Sequence, residues 1–116
     1  MPDRHLPLPP AWYHLLLALT EGERHGYALM QDVREESGGR VRLGPGTLYG
    51  ALRRLLELGY VVESGRRPDP LLDDERRRYY RLTPLGRKVA AAEIERLEAI
   101  VEMARDKKLV PRPRSV

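Results

Sequence analysis

Small and hydroxylated side chains suited to contact with a polyanion lie between residues 44 and 54. Gly46, Thr47 and Gly50 leave room where the first turn of a helix would meet base edges in a major groove about 12 Å wide. Main-chain N–H groups at the start of such a helix can bind a phosphate, as can the hydroxyl groups of Thr47 and Tyr49. These residues predict contact with double-stranded DNA.

Two arginines follow one helical turn later in the same segment. Arg53 and Arg54 can contact bases or the phosphate backbone, but Glu57 follows them by four and three residues and can pair with either. Such a pair on a solvated helix face contributes only about 0.3–0.5 kcal/mol. The helical wheel places Arg54 beside Thr47 and Gly50, which favours a DNA role for Arg54. For Arg53 both interpretations stay open.

A second basic cluster lies in and between two β-prone segments, residues 60–64 and 77–82, which are predicted to pair as a hairpin. In a wing, its arginines would follow the phosphates or the minor groove. Acidic residues between 69 and 75 can pair with these arginines instead, and the Tyr49 ring can pack against the hairpin. The wing residues for which we expect DNA contact are Arg76, Arg77, Arg78 and Tyr79.

Both segments lie in a chain whose apolar periodicity predicts four helices. Helix one spans about residues 10–20, and helix two continues from about 27 to a glycine pair at 38 and 39. Residues 40–43 alternate charged and apolar side chains as in a very short strand. Helix three follows to about residue 58, and helix four spans about 84–107. Helix, helix, helix, hairpin and long helix is the order of a winged helix-turn-helix with a C-terminal extension.

The expected fold class is therefore mainly α with a β-hairpin wing, a winged helix-turn-helix followed by a long C-terminal dimerisation helix. One domain with short appendages suits a chain of 116 residues. The predicted divisions are an N-terminal arm over 1–10, the DNA-binding domain over 11–83, the dimerisation helix over 84–107 and a disordered basic tail over 108–116.

Helix four carries an apolar stripe that repeats in steps of four and three residues. Little of its own domain remains after the wing to cover this stripe, although packing against helix one is the alternative. We predict a homodimer in which helix four packs against a second copy, with the recognition helices about 34 Å apart on a palindromic operator. The predicted dimerisation residues are Ala90, Ile94, Leu97, Ile100, Val101 and Ala104.

The composition excludes several other classes of function. With no cysteine and three scattered histidines, the chain is expected to hold no metal and no cofactor. It has no nucleophile–base set and no phosphate-binding glycine loop, so we expect no enzymatic activity. No apolar run approaches the ~20 residues that cross a bilayer, and the N-terminus lacks a signal-peptide pattern, which predicts a cytoplasmic protein without membrane contact. The net charge of +4 suits a polyanionic partner.

The segment 45–55, followed by Leu58-Gly59-Tyr60-Val61, closely resembles the recognition-helix signature of PadR-like transcriptional regulators. Residues 25–27 (His-Gly-Tyr) and the stretch from Arg78 to Gly86 resemble the same family. Together these motifs lie within residues 11–105. The Leu-Thr-x-x-Gly ending also occurs in other winged-helix families, so the helix-three signature is the more specific. The chain length and single C-terminal helix resemble the small branch of the family.

The resemblance implies a dimeric transcriptional repressor, commonly released from its operator by a small phenolic or hydrophobic effector or by another component. The chain departs from the family at Gly50, where proline is usual. Helix four also has no aromatic residue, whereas some small members line a drug pocket between protomers with aromatic side chains from that helix. Trp12 of helix one is therefore the residue expected to contact an effector.

The sequence as a whole predicts a sequence-specific, double-stranded DNA-binding transcriptional regulator. It would act as a homodimeric repressor, released by a small effector. The alternative is a winged-helix module that binds another protein through helix four and the wing. That alternative predicts little affinity for duplex DNA.

Overall fold

The computed structural model describes residues 5–66 and 78–113 and contains the predicted order of helices and hairpin. A two-residue strand is the one addition to that order in the described part of the chain. The elements are α1 (Pro10–Ala18), β1 (Arg24–His25), α2 (Gly26–Glu36), α3 (Pro45–Leu58), β2 (Val61–Arg66), β3 (Arg78–Leu82) and α4 (Pro84–Asp106).

The strands form one antiparallel sheet in the order β1-β3-β2. The predicted hairpin is confirmed: Val61 pairs with Leu82, and a register shift between Glu63 and Gly65 interrupts the ladder. Strand β1 pairs Arg24 with Tyr80 at the other edge of β3. A strand of two residues shows no periodicity, so only its pairing with β3 reveals it.

The strand predicted over residues 40–43 is absent from the structure. The Val41 N–H, which a neighbouring strand would need, donates to Ser37 Oγ over 2.9 Å instead. The alternation itself is present, because Arg40 and Arg42 are exposed while Val41 and Leu43 pack on the core. The segment is an extended, side-chain-tethered connection between α2 and α3.

Helices α1 and α3 bury the apolar stripes that the sequence indicated, whereas α2 buries Leu29 and Val33 and leaves Tyr27, expected on its apolar stripe, 47% exposed. Leucines one turn apart on α1 and α3 leave almost no exposed surface, and α2, β2 and α4 complete the same core. Burial of each such side chain contributes about 1.5–3 kcal/mol. The most deeply buried apolar residues are Leu15, Leu16, Leu19, Leu29, Val33, Leu48, Leu52, Leu55, Val61 and Val89.

The end of α3 is tied to the start of α4. Gly59 ends α3 in the left-handed region at φ +79, and its carbonyl accepts a hydrogen bond of 2.6 Å from Thr83 Oγ1. The same oxygen of Thr83 caps α4 by accepting from the Gly86 N–H at 2.9 Å. A Cβ at Gly86 would lie 2.0 Å from the Tyr60 carbonyl oxygen, so only glycine fits there. These bonds attach the residues before β2 and after β3, at the base of the hairpin, to the start of α4.

Residues 5–9 of the predicted N-terminal arm pack on the domain. Leu8 is only 4% exposed and belongs to the core, and the His5 ring meets Tyr60 edge-on with centroids 6.1 Å apart. The Leu8 backbone N–H also hydrogen-bonds the carboxylate of Glu93 on α4. Prolines hide this packing in the sequence because they break helical periodicity, yet Leu6 and Leu8 share one side of an extended chain.

The buried carboxylate of Glu93 is fully neutralised within the chain. Its two oxygens accept hydrogen bonds of 2.7 and 3.1 Å from Arg96. The Arg96 guanidinium, and to a smaller extent the Leu8 N–H, hold the pKa of Glu93 below its usual range against the opposing effect of burial. A carboxylate with no exposed surface is tolerated here because it is both paired and hydrogen-bonded.

Helix α4 divides into two halves with different surroundings. Its first half packs on α1, where Val89 and Ala90 belong to the chain's own core. Ala90 is 5% exposed, so its prediction as a dimerisation residue is corrected: the alternative of packing against helix one holds for this part. The second half is uncovered, with Ile100 48% and Val101 41% exposed.

The predicted disordered tail is corrected for residues 108–113. The chain turns back after α4, and Arg112 pairs with both Glu102 and Asp106 on the last turns of the helix. The paired charges lie ten and six positions apart, a spacing that no helical period indicates, and the two prolines of the tail favour an unstructured end. Residues 114–116 of the predicted tail lie outside the described residues.

Candidate nucleic-acid interface

The candidate interface centres on the start of α3. Gly44 precedes the helix in an extended conformation, at φ −75 and ψ 166, and provides no side-chain cap. Pro45 occupies the first helical position and has no N–H to satisfy. Because no side chain caps the helix, the N–H groups of Gly46 and Thr47 can donate to an acceptor on another molecule. Both residues are exposed.

The two faces of α3 separate as predicted. Leu48, Leu52 and Leu55 are buried, whereas Thr47, Arg53 and Arg54 are exposed and Gly50 is half-buried. A Cβ built at Gly46 or Gly50 would meet no atom of the part of the chain that the structure describes within 4 Å. The fold of the chain itself thus has space for larger side chains at both glycines.

Arg53 and Arg54 were both predicted as possible partners of Glu57, and in the structure Arg54 forms this ion pair. Its Nη1 lies 2.9 Å from Glu57 Oε2, and the side chains are 51% and 65% exposed. An exposed pair of this kind contributes about 0–1 kcal/mol. A phosphate or a base can therefore replace Glu57 as the partner of Arg54 at small energetic cost.

Tyr49 is buried, contrary to the expectation of a phosphate contact. It is 7% exposed, and its hydroxyl lies against Gly26 at the start of α2, where an added Cβ would approach to 2.4 Å. The ring packs on the start of α2. Gly26 explains the contact: without a side chain it lets the two helices approach, and sequence periodicity within α3 cannot show a partner on another helix.

The wing is described only at its stem. Arg76 and Arg77, which were predicted to contact DNA, lie outside the described residues, as do the acidic residues between 69 and 75. Arg78 lies on β3 with its Nε 3.7 Å from Glu63 Oε1 on the neighbouring strand. Within the described residues, the acidic neighbour of Arg78 is thus on β2.

Tyr79, the fourth predicted wing residue, is half-buried in the sheet. Its ring meets the His25 ring edge-on, with centroids 5.3 Å apart and planes at 81°. His25 Nδ1 caps α2 by accepting from the Ala28 N–H at 3.2 Å. Burial, with a smaller contribution from Arg24, lowers the pKa of His25, which favours the neutral ring that this cap needs.

The predicted dimerisation residues occupy one continuous region of α4 beyond Ala90. Ile94, Leu97 and Ala104 are half-buried, and Ile100 and Val101 are exposed. A shallow apolar groove of about 330 Å³ runs between α1 and α4. The residues that line it are Leu17, Thr20, Arg87, Ala90, Ala91, Ile94 and Glu95.

Two negative observations concern the described residues 5–66 and 78–113. No group of three or more histidine, cysteine, aspartate or glutamate residues in these ranges could hold a metal ion. None of the helices in the same ranges is long and apolar enough to span a bilayer.

Comparisons with known proteins agree with this architecture. The model of the "Transcriptional regulator PadR-like family" matches residues 15–92. The chain is 38% identical over 93 residues to the transcriptional regulator Rv3488 of Mycobacterium tuberculosis, covering 80% of this chain and 78% of that protein. It is 42% identical over 79 residues to an uncharacterized 37.1 kDa protein in transposon TN4556 of Streptomyces fradiae, covering 68% of this chain but 20% of that protein. The chain thus spans a fifth of the length of the latter relative.

A solved structure shows the same fold. The crystal structure of a PadR family transcription regulator from Clostridium difficile matches with a TM-score of 0.68 at 21% identity, over 84% of this chain and 97% of that chain. At this identity the likeness establishes the fold alone. It confirms the predicted class, a winged helix-turn-helix followed by a long C-terminal helix.

Proposed function

The chain belongs to the PadR-like family of transcriptional regulators, and we propose that it represses transcription as a homodimer bound to a palindromic DNA operator. The observation that carries the proposal is the outer face of α3. This face combines Thr47, Arg53 and Arg54 with a helix start that has no side-chain cap, while the opposite face is buried in leucines. A helix exposed in this way can enter a major groove with its first turn toward the base edges.

Free space at the glycines supports the same orientation. Gly46 and Gly50 have no neighbour within 4 Å of an added Cβ, so packing does not explain their small size. Close approach to a DNA surface does explain it, because each missing side chain lets the helix axis sit deeper in the groove. Tyr49 is left out of the proposed contact set because its hydroxyl is buried against Gly26.

DNA binding is tested by fluorescence anisotropy with a duplex that carries the region upstream of the chain's own gene. We expect binding that weakens steeply with salt, because several phosphate contacts release counterions. Arg54→Ala is expected to weaken this site by about 1–3 kcal/mol if Arg54 contacts a base, and Glu57→Gln to strengthen it, because the exposed ion pair no longer competes. Absence of salt-dependent binding would overturn the proposal in favour of a module that binds protein.

The proposed homodimer rests on the uncovered half of α4. Ile100 and Val101 expose close to half of their surface in line with the half-buried Leu97. A second copy packed along this line would cover the stripe and place two copies of α3 about one DNA turn apart, ~34 Å.

Analytical ultracentrifugation tests the dimer. Leu97→Glu is expected to give monomers, because it places a charge in an apolar interface. Lys88→Glu is a matched control, since it introduces the same acid at an exposed position in the first turns of α4 and should leave a dimer. A dimer that persists in Leu97→Glu would exclude this face as the interface.

Release by a small hydrophobic or phenolic effector completes the proposal. Trp12 is a partly exposed aromatic residue on α1, the helix on which α4 packs. The groove between α1 and α4 has a volume within the usual range of ligand pockets, although Trp12 does not line it. Because Trp12 is the single tryptophan of the chain, its fluorescence reports on this region.

The effector is tested by titrating a phenolic acid into the complex with DNA. We expect quenching of Trp12 fluorescence and loss of anisotropy over the same concentration range. Neither signal would change if DNA binding were constitutive, and that outcome would remove the effector while leaving the operator binding intact.

A further inference from the structure

The loop between α2 and α3, residues 37–44, presents two arginines that no sequence motif pointed to. Arg40 and Arg42 are both exposed, and neither makes an ion pair with a carboxylate among the residues that the structure describes. Other arginines around the candidate interface differ in this respect, since Arg54 and Arg78 have acidic neighbours at 2.9 and 3.7 Å. The loop thus carries two positive charges, immediately before the start of α3, that have no carboxylate partner among the described residues.

The loop is held in shape by its own hydrogen bonds. Gly38 and Gly39 adopt φ values of +63 and +80, which turn the chain out of α2, and the Gly39 N–H donates to the Arg34 carbonyl at 2.7 Å. Ser37 Oγ then accepts from the Val41 N–H at 2.9 Å. These bonds fix the backbone on either side of Arg40.

Alternating burial decides which side chains the loop displays. Val41 and Leu43 pack on the core, so the residues between and before them, Arg42 and Arg40, lie on the opposite, solvent side. The Nε of Arg42 donates to the Gly39 carbonyl at 3.3 Å, which restrains its guanidinium and leaves the other donors of the group for a partner.

The charge of this region is one-sided. Residues 37–56 contain four arginines and no acidic residue, although the chain holds 17 acidic residues in total. This positive charge extends over the loop and the first turns of α3 as far as Glu57, the exposed acid that pairs with Arg54, and it attracts a polyanion.

We propose that Arg40 and Arg42 bind DNA phosphates beside the groove that α3 enters, so that the loop anchors the start of the recognition helix. The inference rests on the proposed function and extends its site to a third element, besides α3 and the wing. Phosphates are assigned rather than bases, because the arginines precede the helix whose first turn meets the base edges and so lie at the groove's edge.

The experiment is fluorescence anisotropy over a salt series, with the upstream duplex and with an unrelated duplex of equal length. The double variant Arg40→Gln/Arg42→Gln is expected to weaken both complexes by a similar factor. It should also lower the slope of log affinity against log salt by about two, since each lost phosphate contact removes about 0.9 from that slope. Arg40→Lys/Arg42→Lys should restore most of the slope, because lysine binds phosphate as a point charge.

The matched control is Lys107→Gln/Lys108→Gln, which removes two exposed positive charges at the far end of α4. It should keep the wild-type slope, and thermal unfolding should show all variants folded because the changed side chains are exposed. A wild-type slope in Arg40→Gln/Arg42→Gln would overturn the inference while leaving the proposed function standing. A loss confined to the upstream duplex, without rescue by lysine, would overturn the assignment to phosphates. Absence of wild-type binding to either duplex would overturn both proposals.

Discussion

At the scale of single residues, four glycines of this chain form two contrasting pairs. Gly26 and Gly86 sit where an added Cβ would collide with Tyr49 and with the Tyr60 carbonyl. Gly46 and Gly50 have no such neighbour among residues 5–66 and 78–113. The first pair is explained by packing of the monomer, whereas the second pair is explained by the proposed approach to DNA.

A pair of alanine substitutions separates these explanations. Gly86→Ala should destabilise the protein by about 1–3 kcal/mol or more, because the new methyl group overlaps backbone that cannot move easily. Gly50→Ala should stabilise the free protein by up to about 1 kcal/mol through helix propensity, and should weaken DNA binding. Urea unfolding gives the stabilities and anisotropy gives the affinities. Unchanged affinity in Gly50→Ala would mean that the space beside this residue is not used by DNA.

The burial of a side chain could be predicted from the sequence where it depends on one helix alone. It could not be predicted where the side chain packs against a different element. The separation of Leu48, Leu52 and Leu55 from Arg54 follows from the helical period alone. The burial of Tyr49 depends on Gly26, which belongs to another helix and has no periodic relation to it. Contacts between elements are set by tertiary packing, which local patterns do not encode.

At the scale of elements, the order of helices and the hairpin could be predicted, but the shortest pieces could not. Strand β1 exists because Arg24 and His25 meet Tyr80 and Tyr79 across the sheet. Residues 40–43 show the reverse case, an alternating pattern that forms no strand because Ser37 takes the Val41 N–H. Period-two alternation indicates which side chains are buried, whereas a strand also requires a partner.

The N-terminal segment is an integral part of the domain, which a second pair of substitutions can measure. Leu8→Ala should destabilise the protein by about 2–5 kcal/mol, because it removes buried apolar atoms and leaves a cavity beside α4. Leu109→Ala is the matched control: Leu109 is 80% exposed, so its truncation should change stability by less than about 0.5 kcal/mol. Equal effects in thermal unfolding would show that residues 5–9 contribute no packing in solution.

At the scale of the whole molecule, stability should decrease as the solution becomes more acidic. Burial lowers the pKa of His14, and burial together with Arg24 lowers that of His25. A folded-state pKa below the unfolded value of about 6.5 means that the unfolded chain binds more protons, so the stabilisation is present above that pH and is lost as the pH falls. Glu93, with a pKa lowered chiefly by Arg96, adds the same trend below about pH 4.3.

The contribution of His25 can be isolated by His25→Asn, because asparagine keeps an acceptor that can cap α2. The free energy of unfolding should fall less steeply between about pH 6.5 and 5 in this variant than in the wild type, as measured by urea unfolding at each pH. Glu36 has the opposite effect on stability, because burial, Asp32 and Glu21 raise its pKa. Its contribution to the free energy of unfolding increases as the pH falls through its titration range. Identical pH profiles for the variant and the wild type would exclude His25 as a contributor.

The apolar stripe of α4 could be predicted from the sequence, but its packing partners could not. It is continuous from Ala90 to Ala104, and nothing in its period marks the point where the chain's own α1 stops covering it. The structure places that point near the middle of the helix, beyond Glu93. Length and periodicity could predict that the apolar face of α4 packs against another helix. Which part packs on α1 and which part is left for a second copy depends on where α1 ends in the folded structure.

The junction at Thr83 also gives the molecule a mechanical property. Because a single residue joins β3 to α4 and its hydroxyl is bonded to Gly59, the start of the 23-residue helix is tied to the end of α3, and α4 can act on α3 as a lever. At 1.5 Å per residue the lever is about 34 Å long, so a rotation of about 5° at its far end displaces the other end by about 3 Å. That distance is close to the ~3.4 Å rise of one base pair. In the proposed dimer, a change of this size in the angle between two α4 helices would displace each recognition helix by about the length of one base-pair step.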